Sequence, residues 1–191
     1  MGTIIDTAAV LTTLLWIVVL LIAAASLTLV ILGDRMASRL MIYIAAGLLV
    51  LDLAITAVAS STAPMVINVL LVLVGLALAV LGGSPVTRLV LSLSGGAPDT
   101  GLHGGIVPGG AAGGTEVLRG GRTIGFLERA ATAASIIAGF PEAIAIVVAV
   151  KGVGRFTELG EAETRERFII GTLASLLWAC LAGGLVRLAI S

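Results

Sequence analysis

Charge is scarce in this chain: 12% of its 191 residues are Asp, Glu, Lys or Arg, against 59% that are hydrophobic. So little polar material cannot cover a soluble domain, and a formal net charge of zero gives nucleic acid nothing to bind. Cysteine and histidine are nearly absent, one of each. Cys180 has no disulfide partner and sits in an apolar run, where it reads as a small filler. His103 stands alone in a glycine-rich stretch, too isolated for a metal or proton-transfer role. No H-E-x-x-H, paired-aspartate or Ser/His/Asp pattern occurs, and the glycines lack the P-loop spacing G-x-x-x-x-G-K-[ST]. No catalytic residue, metal ligand or cofactor is therefore expected, and an enzyme is the least supported class.

What the chain has is long apolar runs, the signature of membrane-spanning helices. Residues 8–32 form the first, about 37 Å at 1.5 Å per residue. The sequence ahead of it carries no basic region, so it is read as an uncleaved span. Gly33, Asp34, Arg35 and Arg39 break the run, and a second helix is predicted over 41–60. A third span covers 65–82, ending at Gly82-Gly83. Ser84 and Pro85 then look like the cap and first position of a short interfacial helix over 84–94. Residues 95–114 are a glycine-rich linker, with Pro98 and Pro108 excluding a helix. The chain thus divides into an N-terminal three-helix membrane block (1–94), the linker, and a C-terminal membrane block (115–191) whose final span is 166–188.

Between linker and final span lies "IGFLERAATAASIIAGFPEAIAIVVAVKGVGR", one long helix or two short ones. Gly139 suits a helix C-cap, Phe140 precedes a proline, Pro141 suits a helix start, and Glu142 complements a positive helix end. Charge gives an independent test. With two helices, Arg35, Arg39, Arg88, Arg119, Arg122, Arg129, Lys151, Arg155, Arg165 and Arg167 share one side and only Arg187 takes the other. A single span would divide the basic residues seven to four. The positive-inside rule prefers ten to one. The expected fold is an all-α integral membrane bundle of about six membrane helices, the short pair joined at Gly139-Phe140-Pro141. That pair either crosses twice or re-enters from one face. Both termini lie outside and residues 83–122 are cytoplasmic. Abundant Ala, Gly, Val and Arg suggest a bacterial cytoplasmic membrane.

The segments "GRTIGFLER" (121–129), "KGVGRFTEL" (151–159) and "RFIIGTLAS" (167–175) resemble the C-terminal region of an uncharacterised bacterial membrane-protein family. The resemblance covers about 70 residues and implies a multi-pass membrane fold. It puts Glu128, Arg129, Lys151, Arg155, Phe156 and Glu158 at the family's motif positions and implies no activity. The glycine linker departs from the family's pattern.

Three groups of residues are candidates for function. Asp52, mid-span, is a costly intramembrane carboxylate and by default a proton or cation site, with Asn68 following it. The plainer reading is a neutral Asp52 hydrogen-bonded to Asn68, Thr56 or another helix. Glu128, Arg129, Lys151 and Arg155 gather where the short helices meet the cytoplasm. They form either a basic pocket for an anionic lipid headgroup, or membrane anchors plus an ion pair from Glu128 to Lys151 or Arg155. Gly171, Ser175, Ala179 and Gly183 recur every fourth residue and suit close helix packing, as do Ala130, Ala134 and Ala138. These features favour a small oligomeric transporter or lipid-handling protein, with a structural or regulatory scaffold as the alternative. The expected partners are membrane lipids and further copies of the chain, with no nucleic acid.

Overall fold

A computed structural model describes residues 7–59, 61–94, 121–155 and 162–191. The linker 95–114, Arg119, Phe156 and Glu158 lie outside the described residues. Six helices make up nearly all of the rest, and no strand occurs among the described residues. They are α1 (Thr7–Arg35), α2 (Arg39–Val58), α3 (Met65–Leu93), α4 (Gly121–Ala138), α5 (Ala143–Arg155) and α6 (Ala162–Ile190). Four of them, α1, α2, α3 and α6, are long and apolar enough to cross a membrane. The chain is a helical membrane bundle. α5 is a shorter apolar helix, and α4, with 18 residues, carries buried charge.

Because the long helices are apolar all round, their buried faces are marked by spacing and residue size. On α1 the buried positions are Trp16, Val19, Ala23, Ser26, Val30 and Gly33; on α2 they are Ile42, Ala45, Leu49, Asp52 and Thr56. Alternating steps of three and four are the spacing of left-handed antiparallel packing. Ser26 Oγ donates to the Ala45 carbonyl across that interface at 2.9 Å. The turn between these helices is a Schellman closure: the Ser38 amide donates to the Gly33 carbonyl, with Ala37 left-handed at φ 51°.

The structure corrects the expected break at Gly82-Gly83. No separate interfacial helix exists over 84–94; α3 runs unbroken to Leu93 with Pro85 inside it. Residues 83–93, expected to lie outside the third span, are thus part of the same helix. In water a Gly-Gly-Ser-Pro sequence would end a helix, but inside a packed bundle neighbouring helices can satisfy the backbone that proline disturbs. Here α4 and α6 both pack on that turn. A Cβ added at Gly82 would overlap the Trp178 indole, and one at Gly83 would overlap Arg129 Cδ. The two glycines are docking surface. Trp178 Nε1 donates to the Leu78 carbonyl at 2.8 Å, one turn away.

α3 and α6 pair antiparallel along their length, α4 packs against both, and α5 attaches to the bundle mainly through α4. The short pair is two helices, as predicted. The Phe140 amide donates to the Ser135 carbonyl at 2.8 Å, the Gly139 amide donates to the Ile136 carbonyl at 3.0 Å, and Gly139 has φ 81°. This is a Schellman C-cap, and α5 starts two residues beyond Pro141. The hairpin tip lies beside the last turn of α6, since a Cβ at Gly139 would sit 3.5 Å from the Arg187 guanidinium. At the same end the Ala63 amide donates to the Ala189 carbonyl.

The glycine dock gives a direct test. Gly82→Ala and Gly83→Ala should each lower stability in detergent by about 1–3 kcal/mol, the usual cost of overpacking. Gly47→Ala on α2, with open space around its Cβ, should be neutral or stabilising by up to about 1 kcal/mol. Thermal unfolding followed by circular dichroism measures all three; equal effects would remove the docking role.

Candidate functional site

The sequence places Glu128 and Arg129 side by side on α4, but successive helical residues point about 100° apart. Both are buried, and they serve different interfaces. Arg129 turns into the α3–α6 side. Its Nε donates to the Val80 carbonyl at 2.8 Å, Nη2 to Ser84 Oγ at 3.0 Å, and Nη1 to Ser175 Oγ at 3.1 Å. Its guanidinium also lies 5.3 Å from the Phe126 ring centroid. Pro85 has no N–H for the Leu81 carbonyl, so this turn of α3 is short of donors, and Arg129 supplies one at the adjacent carbonyl. Of the four cluster residues, Arg129 thus bolts three helices together.

Glu128 turns toward α5, where Lys151 Nζ donates to its Oε2. This is one of the two pairings the sequence allowed across the hairpin. Lys151 Nζ lies 5.6 Å from the Phe168 ring centroid on α6, and Glu128 Oε1 is buried with no hydrogen-bond partner among the described residues. The side chain of Arg155 lies outside what is described. Between α4 and α5 runs a groove of about 470 Å³. Ile124, Leu127 and Ala131 form one wall, and Ile146, Val147 and Val150 the other. Glu128 and Lys151 are the two charged groups in its lining. Such a groove can hold an apolar chain and meet a polar head at the ion pair.

Asp52 sits apart from this groove, fully buried on α2, and neither carboxylate oxygen has a partner among the described residues. The expected bonds to Thr56 and Asn68 are absent. Thr56 Oγ1 donates to the Asp52 main-chain carbonyl, the usual back-bond of a helical threonine. Asn68 Nδ2 donates to the Ala63 carbonyl at the start of α3, at 2.9 Å. Asp52 and Asn68 therefore belong to different local arrangements.

The small residues of α6 face other helices of the same chain. A Cβ at Gly171 would lie 3.3 Å from Thr87 of α3, and one at Gly183 would lie 3.1 Å from the Ala133 backbone of α4. Ser175 receives Arg129, and Ala179 is fully buried. On α4 the buried small residue is Ala133, whereas Ala134 and Ala138 are exposed. Two features had escaped the sequence reading: the Gly82-Gly83-Ser84 dock and an ion pair from Arg88 of α3 to Asp34 of α1. Gly75, Ala79 and Gly83 recur every fourth residue and carried the signal for the dock.

No group of three His, Cys, Asp or Glu residues able to hold a metal occurs among the described residues. No family model, curated protein or solved structure matches this chain.

If Arg129 bolts α3, α4 and α6, charge alone should not replace it. Arg129→Lys retains one charge but loses the planar fork, and we expect a stability loss of about 2 kcal/mol. Ser84→Ala and Ser175→Ala should each cost about 1 kcal/mol. An Arg129→Lys protein that unfolds at the wild-type temperature would refute this role.

Proposed function

We propose that this chain is a multi-pass membrane protein that handles lipid, with an acyl chain in the α4–α5 groove and a headgroup at Glu128 and Lys151. The groove itself carries the reading: about 470 Å³, apolar along its walls, and lined by an ion pair with one carboxylate oxygen left without a donor. Its size falls within the range of ligand sites. The site is complete within one chain, so the reading needs no oligomer. A transport role for Asp52 finds less support, because the groove lies on α4 and α5 whereas Asp52 is enclosed on the core face of α2. A scaffold role gains from Arg129, whose donors are engaged within the bundle, but gives no account of the groove.

In this reading the arginine-rich end faces the cytoplasm and both termini lie outside. The Asp34–Arg88 pair joins the cytoplasmic ends of α1 and α3, while Gly139 meets Arg187 at the opposite end. This arrangement favours two full crossings by α4 and α5. The reading takes the Glu128–Lys151 pair, about ten residues along α4 from the tip, to lie toward the inner leaflet.

Two measurements test the reading. Protein extracted in mild detergent should retain phospholipid detectable by mass spectrometry. Leu127→Trp, at a position 66% exposed and lining the groove, should remove most of it without loss of the fold. Absence of bound lipid from the wild type would sink the proposal. For orientation, a cysteine at Phe140 in a Cys180→Ala background should react with an impermeant thiol reagent outside intact cells, as one at Thr62 should, while one at Thr100 should not. Reaction at position 140 only after the cells are opened would make the pair re-entrant.

A further inference from the structure

The two charges of the groove have unequal demands. Lys151 donates one of its three protons to Glu128 Oε2 and keeps others for an acceptor. Among the described residues Glu128 Oε1 is buried without a donor, in a residue that is only 8% exposed. Its groove neighbours Leu127, Ala131 and Val147 have no side-chain N–H or O–H to give. Arg129 is occupied with Val80, Ser84 and Ser175 on the other side of α4. No donor among the described residues reaches Glu128 Oε1, so an occupant that brings an N–H would satisfy it. Resting on the lipid-handling reading, this narrows the headgroup.

We propose that the groove selects phospholipids whose headgroup ends in a primary ammonium, of the phosphoethanolamine type. The phosphate accepts from Lys151 Nζ and the ammonium donates to Glu128 Oε1. A zwitterion is then laid head to tail along the protein's own ion pair, so each charge meets its opposite. Charge-assisted bonds of this kind are stronger than neutral ones. A choline headgroup carries the same charges but has no N–H, so it leaves Glu128 Oε1 unmet. A glycerol headgroup offers only hydroxyl donors and brings an uncompensated negative charge beside Glu128. The wall residues are apolar and hold the acyl chain without regard to the headgroup, so selection falls to the charged pair.

Full-length protein is mixed with equal amounts of phosphatidylethanolamine, phosphatidylcholine and phosphatidylglycerol bearing identical acyl chains, and bound lipid is counted by native mass spectrometry. The ethanolamine lipid should be retained about tenfold over the choline lipid, the value of one charge-assisted hydrogen bond, and ahead of the glycerol lipid. Glu128→Gln should level the ethanolamine and choline lipids while binding persists, and Leu127→Trp should remove all three. Choline lipid held as well as ethanolamine lipid, glycerol lipid held better, or an unchanged preference in Glu128→Gln would overturn the ammonium assignment and leave the groove reading standing. Binding of all three lipids undiminished by Leu127→Trp, or no binding to the wild type, would instead remove the groove reading. The wild-type comparison decides the headgroup question even if Glu128→Gln does not fold.

Discussion

One guanidinium group constrains most of this bundle. Arg129 reaches from α4 to a main-chain carbonyl and a serine of α3 and to a serine of α6, crossing α3 where Gly83 leaves no side chain in its way. In lipid, helices gain little from burying apolar surface against each other, so close packing and hydrogen bonds decide which faces meet. A buried arginine with satisfied donors fixes register and rotation together, because its fork fits only one relative placement of three helices. The indole of Trp178 makes a parallel contact over Gly82, one residue away. The adjacent glycines thus receive α4 and α6 separately, and Pro85 one turn along leaves a carbonyl in need of a donor.

Two kinds of polar group away from this bolt stand in contrast. Ser26, Thr56 and Asn68 close local or cross-helix hydrogen bonds to main-chain carbonyls. Asp52 and Glu128 instead hold carboxylate oxygens that nothing among the described residues satisfies. They differ in surroundings. Asp52 lies on a packed face between long helices, whereas Glu128 lines a groove against a helix that the bundle holds mainly through α4. The same chemical deficit thus sits among packed helices in one place and beside a groove in the other. The proposal of lipid handling rather than transport rests on that difference.

Much of the architecture was legible in the sequence, for identifiable reasons. Uninterrupted apolar runs locate long helices in any membrane protein, and Gly139-Phe140-Pro141 combines a left-handed cap with a residue that starts a new helix. Closing that hairpin allowed Glu128 to pair with Lys151 or Arg155, and the pair with Lys151 is present. What was not legible was rotation. A helix apolar on every side gives no periodic signal, so which faces meet is written only in small residues, and those of α4 pointed to the wrong side. The Gly-Gly-Ser-Pro turn misled for the opposite reason. Its local preference is strong, and a contact with Arg129, far along the chain, overrode it. The groove could not be foreseen because it depends on how far α5 stands from α4.

Lys151 is the chain's only lysine, since arginine supplies every other basic side chain. Amine-directed chemistry therefore addresses one side chain, the one already joined to Glu128 at the groove. Apart from the terminal amine, an amine-selective reagent such as reductive isotopic methylation reports on that position alone, without engineering a label. The scarcity of lysine turns the ion pair into a built-in chemical handle on whether the groove is filled.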